Sequence, residues 1–281
     1  MPVKFSIDLI IQSKVKNPTL ITPDVLHGFF FSLLPSNIAE TLHKPSKYKP
    51  FCLWAPKIFK FLQNNQTSEG NSILTITVSF LKDELFSPFL FKLTENRKNL
   101  FLGPYKVFLL QKPGSLIKND EYITFEDFLH IQPKTYLYFQ AITPISFKKG
   151  QIDYPLPDPK IFLKSLINKW NYFSPFRIEV DLRKVLEEKL CIVYSKIRTY
   201  KIKLSLGSAV TGFKGKVVFY GKGLTDEELR WLNILGHFSR YAGVGRKTTM
   251  GLGMVEFQAL NIDEITAEEG IDEVNLPNWA A

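Results

Sequence analysis

The chain is poor in the residues that build metal clusters and disulfide frameworks. Only Cys52 and Cys191 occur in 281 residues, with no CxxC and no Cys/His spacing suited to zinc. Neither a disulfide scaffold nor a zinc site is expected, and no metal or other cofactor is called for. Long apolar runs are missing too, since none approaches the roughly 18 residues of a membrane span. The N-terminus, Met1-Pro-Val-Lys-Phe-Ser-Ile-Asp, runs straight into a strand pattern, so a cytoplasmic protein is expected. Acids are scarce over most of the chain: six of the 27 fall within residues 261–281, where no Lys or Arg occurs. The rest holds 36 Lys and Arg against 21 acids, a net of +15 on residues 1–260. That balance favours a nucleic-acid partner, with a solvated lysine-rich surface as the plain alternative. The acidic tail, 261–281, is expected to be disordered or draped over the surface.

The common nucleotide motifs are also absent. Gly243-Val-Gly-Arg-Lys-Thr-Thr-Met-Gly-Leu-Gly-Met254 is rich in glycine, but Arg246 follows Gly245 where a P-loop needs Lys, and Thr248 stands where a dinucleotide fingerprint needs Gly. What remains is four glycines, Gly243, Gly245, Gly251 and Gly253, around Arg246 and Lys247. Such a loop suits a polyanion, because glycine lets backbone N–H groups approach a phosphate. A glycine-rich hairpin without ligand is the competing reading.

With 45% hydrophobic and 14% aromatic residues, the chain can build two domains or one large one. Val3 to Gln12 reads as a strand, and Thr22-Pro23-Asp24 as a helix start, with Val25, Leu26, Phe29, Phe30, Leu33 and Leu34 as its apolar stripe. Strand patterns follow at Ser72 to Leu81, Tyr105 to Gln111 and Tyr136 to Phe147, with a helix within 82–97. Asp158-Pro159 opens a second helix through Trp170, and Lys196 to Leu206 and Lys214 to Tyr220 read as strands. The best-signed helix precedes the glycine loop: Thr225 and Glu228 form a capping box, with Leu224 and Leu229 as its staple. Pattern alone supports an α+β fold, with a boundary in the Pro-rich segment 144–159.

Helix, then GVGRKTTMGLGMVEF, then a closing strand resembles the end of the CRISPR repeat-processing endoribonucleases of the RAMP superfamily. The segment AITPISFKKGQIDYPLPDPKIFLKSLINKWNYFSP (141–175) is similar to that family's middle segment, and SLGSAVTGFKGKVVFYGKG (205–223) to its Gly-Phe-x-Gly strand start. The resemblance implies two tandem ferredoxin-like (RRM-like) domains, over 1–145 and 146–260, followed by the tail. It implies CRISPR repeat RNA as the partner, other CRISPR effector-complex proteins as further partners, and a monomer or homodimer. The implied reaction is metal-independent cleavage of precursor CRISPR RNA within repeats, leaving a 2′,3′-cyclic phosphate and a 5′-OH. A non-catalytic CRISPR RNA-binding RAMP protein and a general RNA-binding module remain as alternatives.

RNA is cut without metal when a base assists 2′-OH attack, an acid protonates the leaving 5′-oxygen and a cation steadies the phosphate. His43 lies in a basic loop, Leu42-His-Lys-Pro-Ser-Lys-Tyr-Lys-Pro-Phe51. The resemblance puts the catalytic histidine on His43 and the transition-state lysine on Lys49, with Lys44 and Lys47 as phosphate contacts or, equally, as lysines of a solvated loop. His27, on the first helix, is open to an acid or base role or to ordinary packing. Some family members carry a Tyr where this chain has Phe31, which has no proton to give. His130 and His237 read as structural. Lys196 and Arg198 share one strand face and Lys201 and Lys203 the other, so a bulge at Tyr200 could turn both sets toward RNA; a charged edge strand explains them equally.

Overall fold

The computed structural model describes residues 1–11, 21–58, 72–96, 99–110, 117–204 and 207–269. Gln12, Arg97, Gln111 and Leu206, at the ends of expected elements, and residues 270–281 of the acidic tail lie outside the described residues.

The chain forms two compact units. The first comprises Met1–Ile123, Lys201–Val210 and Lys247–Leu252. Its central strand, β1 (Val3–Ile11), places Val3, Phe5, Ile7, Leu9 and Ile11 in one apolar core by the two-residue repeat of a strand. Helix α1 (Pro23–Ser32) follows, with Pro23 in its first turn; Thr22 has the extended backbone of a cap but makes no side-chain cap bond. Leu26, Phe29, Phe30, Leu33 and Leu34 are buried as the periodicity predicts. A second helix, α2 (Ser36–His43), which the sequence pattern did not reveal, takes in Leu42 and His43, the first two residues of the expected basic loop. Then come β2 (Phe51–Trp54), β3 (Ser72–Phe80), α3 (Phe86–Glu95), β4 (Leu100–Leu102), β5 (Tyr105–Leu109) and β6 (Lys118–Tyr122). The sheet order is β2-β3-β1-β5-β4, with β6 also on β1. β1 runs antiparallel to β3, from Val3 opposite Phe80 to Ile11 opposite Ser72. Strand, helix, strand pair, helix, strand in this order is a ferredoxin-like unit.

The second unit comprises Thr124–Tyr200, Thr211–Arg246 and Gly253–Ala281. It holds β7 (Tyr136–Ile145), the short pair β8 (Phe147–Lys149) and β9 (Ile152–Tyr154), α4 (Pro159–Phe173), the long β10 (Leu190–Lys203) and β11 (Ala209–Gly221), α5 (Asp226–Ala242), β12 (Val255–Leu260) and α6 (Ile262–Glu269). The order β10-β11-β7-β12 repeats the ferredoxin-like plan. β7 is an inner strand of this sheet, paired with β11 and β12, although it precedes the boundary expected at 144–159. Asp158 caps α4 by accepting from the Ile161 N–H, and Thr225 and Glu228 cap α5 reciprocally, as their spacing predicts. The first part of the acidic tail is ordered: α6 buries Ile265 against Tyr136, Tyr138, Val218 and Leu260, and Glu264 pairs with Lys134 at 2.7 Å.

His237 is structural, as expected. Its ring meets the edge of Phe257 at 4.9 Å. Burial, with a smaller contribution from Arg240, pulls its pKa from 6.5 down to about 4. Below pH 6.5 the unfolded chain therefore binds a proton that the fold resists. Its contribution to stability is full above pH 6.5 and fades as pH falls toward 4, by at most about 1.4 kcal/mol per unit. Thermal melts of wild type and His237→Phe across pH 7 to 4 should converge in acid; parallel curves would remove this role.

Candidate active site

The two candidate histidines are set by neighbouring elements of the first unit. His27 projects from α1 off the buried stripe, one turn before Phe31. His43 is the last residue of α2, and it is exposed. The ring centroids of His27 and His43 are 6.5 Å apart and nearly perpendicular. Phe31 stacks on His43 at 3.9 Å and tilts against His27 at 4.7 Å, while Phe51 lies nearly parallel to His27 at 6.1 Å. Phe31 thus stands where a tyrosine would have brought a hydroxyl, and its visible work is to hold both imidazoles.

The protonation of His27 follows from its bond to the backbone. Nδ1 lies 2.8 Å from the Thr249 carbonyl oxygen. A carbonyl only accepts, so Nδ1 carries the proton, and in the neutral ring the Nε2 lone pair is left open. Burial is the chief cause that lowers the His27 pKa below 6.5; the Thr249 bond opposes it, and His43, Lys247 and Lys49 add to the lowering. At neutral pH His27 is therefore an uncharged imidazole with Nε2 as acceptor.

Lys49 acts first on the local backbone. Its Nζ donates to the Leu42 and Lys44 carbonyls, each at 2.6 Å, which ties off the end of α2 beside His43. An ammonium has three N–H groups, so one remains. Lys44 and Lys47 are exposed, and Lys47 lies 5.5 Å from the Tyr48 ring centroid.

The glycine loop differs from the expected phosphate cradle. Gly243, Gly251 and Gly253 are buried. The N–H groups of Gly243, Val244, Arg246 and Gly253 donate to the carbonyls of Ser239, Gly253, Ser146 and Pro144, and that of Gly245 to the Ser165 hydroxyl. Those of Met250 and Leu252 donate to Lys247. Gly245, at φ +78°, lies so close to β7 that a Cβ would stand 2.4 Å from the Ser146 carbonyl oxygen. Gly245 therefore serves packing, and the N–H groups of Gly243, Gly245 and Gly253 are engaged within the fold. Arg246 is drawn to Asp153 at 2.5 Å, both side chains being partly buried. Lys247 is the one non-glycine residue with positive φ among the described residues, at 58°. It starts a turn, Thr248–Met250, that packs on β2 and α1 and presents the Thr249 carbonyl to His27; the Trp54 ring N–H donates to Leu252 just beyond it.

Residues missed in the sequence share one feature, that a backbone carbonyl is one partner in each contact. The Thr249 carbonyl carries no side-chain signal. Lys169 is buried and donates to the Ala242 and Gly243 carbonyls at 2.6 and 3.0 Å, closing the end of α5; a lysine amid apolar positions of α4 was its only trace. Lys196, Arg198, Lys201 and Lys203 are exposed along β10. The strand runs unbroken through Tyr200, and the irregularity lies in β11 between Phe213 and Gly215. There the backbone passes so near β10 that a Cβ on Gly215 would fall 2.1 Å from the Lys196 carbonyl.

A family profile described as CRISPR-associated endoribonuclease Cas6 matches residues 139–255. A Thermus thermophilus Cas6 in a product complex superposes with a TM-score of 0.77 at 25% identity, over 92% of this chain and 100% of the other. The chain therefore resembles Cas6-type RAMP proteins. A second Cas6 product complex gives a TM-score of 0.71 at 25% identity over 91% and 99% of the two chains. The CRISPR-associated endoribonuclease Cas6 of Mycobacterium tuberculosis is 23% identical over 244 residues, 84% of this chain and 71% of that protein. The likeness to Cas6 structures spans both ferredoxin-like units. Among the described residues no helix is long and apolar enough to cross a membrane.

Proposed function

We propose that this Cas6-type chain cuts precursor CRISPR RNA within its repeats, without a metal ion, by 2′-OH attack on the adjacent phosphorus. The observation that carries the reading is the pair His27 and His43, 6.5 Å apart, with His27 held as the tautomer whose Nε2 is open. His27 takes the 2′-OH proton on Nε2 as the O2′–P bond forms. His43 gives a proton to O5′ as the P–O5′ bond breaks, leaving a 2′,3′-cyclic phosphate and a 5′-OH. The remaining N–H of Lys49 serves a non-bridging oxygen. Incubation of the purified protein with its own repeat RNA in EDTA tests this: discrete fragments with cyclic phosphate ends are expected. A shifted band with intact RNA would favour the non-catalytic binder, the reading that Phe31 in place of a tyrosine leaves open.

The cationic surface of β10, Lys44, Lys47 and Lys247 holds the RNA in this reading. Each phosphate contact in single-stranded RNA contributes about 0.7 to the slope of log affinity against log salt. Lys247→Ala should lower that slope by about 0.7, and adding Arg246→Ala should change it less, because Arg246 is already neutralised by Asp153. Filter binding between 50 and 400 mM salt, by about that range, reads this. Equal slopes in wild type and Lys247→Ala would take Lys247 out of the interface.

A further inference from the structure

Helix α4 has two working faces. Phe162, Leu163, Leu166 and Trp170 are buried in the second unit's core. The other face carries Lys160, Lys164, Ile167, Asn168 and Asn171, spaced as one helical stripe. After the helix the chain folds back: the Trp170 ring N–H donates to the Phe176 carbonyl at 2.8 Å, and residues 178–187 cross that polar face. Between helix and returning segment lies a cavity of about 530 Å³, within the range of small-ligand sites.

Its chemistry is divided. Ile167, Ile178, Val180 and Leu186 supply apolar wall. Lys160 pairs with Glu187, and Asp181 accepts from the Arg183 N–H. Among the described residues, Lys164, Asn168, Asn171 and the Arg183 guanidinium show no such side-chain partner, though all four line the same space. An aliphatic wall suits the faces of a heterocyclic base, and paired amides suit its hydrogen-bonding edge. Two cations suit a phosphate, and the second oxygen of Asp181 suits a ribose hydroxyl.

We propose that this cavity seats one nucleotide, an adenine nucleotide by its amide edge, either free or as one residue of an RNA strand. The seat lies wholly within the second unit and requires no cleavage. Calorimetric titration of the full chain with AMP should give saturable binding, weakened about tenfold or more in Lys164→Ala/Arg183→Ala and in Asn168→Leu, with thermal melting unchanged. Inorganic phosphate and adenosine alone should each bind about tenfold or more weakly than AMP. Repeat RNA separates the sources. If it displaces AMP, the seat takes a nucleotide of the strand; if AMP remains bound, the seat takes free nucleotide. No saturation with wild type up to about 10 mM AMP, or equal binding by the double-alanine protein, overturns the proposal. Failure of EDTA-resistant cleavage would leave this result untouched, so the two readings fail separately.

Discussion

His43→Ala should lower single-turnover cleavage of repeat RNA by about 100- to 10,000-fold while its affinity for that RNA stays nearly constant, because the change removes proton transfer and little phosphate neutralisation. His27→Ala should do the same by removing the opposite partner. The two differ in their pH signature. Burial lowers the His27 pKa, so its neutral, proton-accepting form persists below pH 6.5. The acid limb of kcat/KM should therefore lie below pH 6.5, and the rate should fall only as pH drops through that lowered value. His27→Ala should lose this limb, whereas His43→Ala should retain it at a depressed rate. A variant of either histidine that cuts at close to the wild-type rate would end the assignment.

Much of this site was legible because it rests on residue type and spacing. The stripe of α1 fixes where His27 must point: with Leu26, Phe29 and Phe30 inward, residue 27 is left at the edge of the core. The capping pairs at Asp158 and at Thr225 with Glu228 were legible for the same reason, since a side chain and its backbone partner lie within one turn. Helix α2 was not, because Pro35 stands at its cap without a side-chain bond to mark its start. The acidic tail was expected to be disordered or draped over the surface, and charge density gave no sign that Ile265 would give α6 a buried anchor, with Ile262 packed beside it. The glycine loop shows a deeper limit. Four glycines beside two cations fit a phosphate cradle and a tight packing joint equally well, and only the partners of the N–H groups separate them.

Gly245→Val should destabilise the protein by more than about 2 kcal/mol, and its RNA defect should follow that loss. Two effects add. The left-handed backbone at φ +78° disfavours any β-carbon by about 1–2 kcal/mol. The new atoms would also meet the Ser146 carbonyl at 2.4 Å, with the Ile145 and Phe147 side chains at 3.3 Å, and overpacking of such a joint adds about 1–3 kcal/mol. The carbonyl has little freedom to withdraw, because the Arg246 N–H is bonded to it. The damage should spread from there: Arg246 holds Asp153 on β9, while the next residue, Lys247, opens the turn whose Thr249 carbonyl sets the His27 tautomer. Thermal melting and cleavage should therefore fall together in Gly245→Val. A variant that melts like wild type yet loses RNA affinity at every salt concentration would show instead that Gly245 is kept for close approach of the RNA backbone.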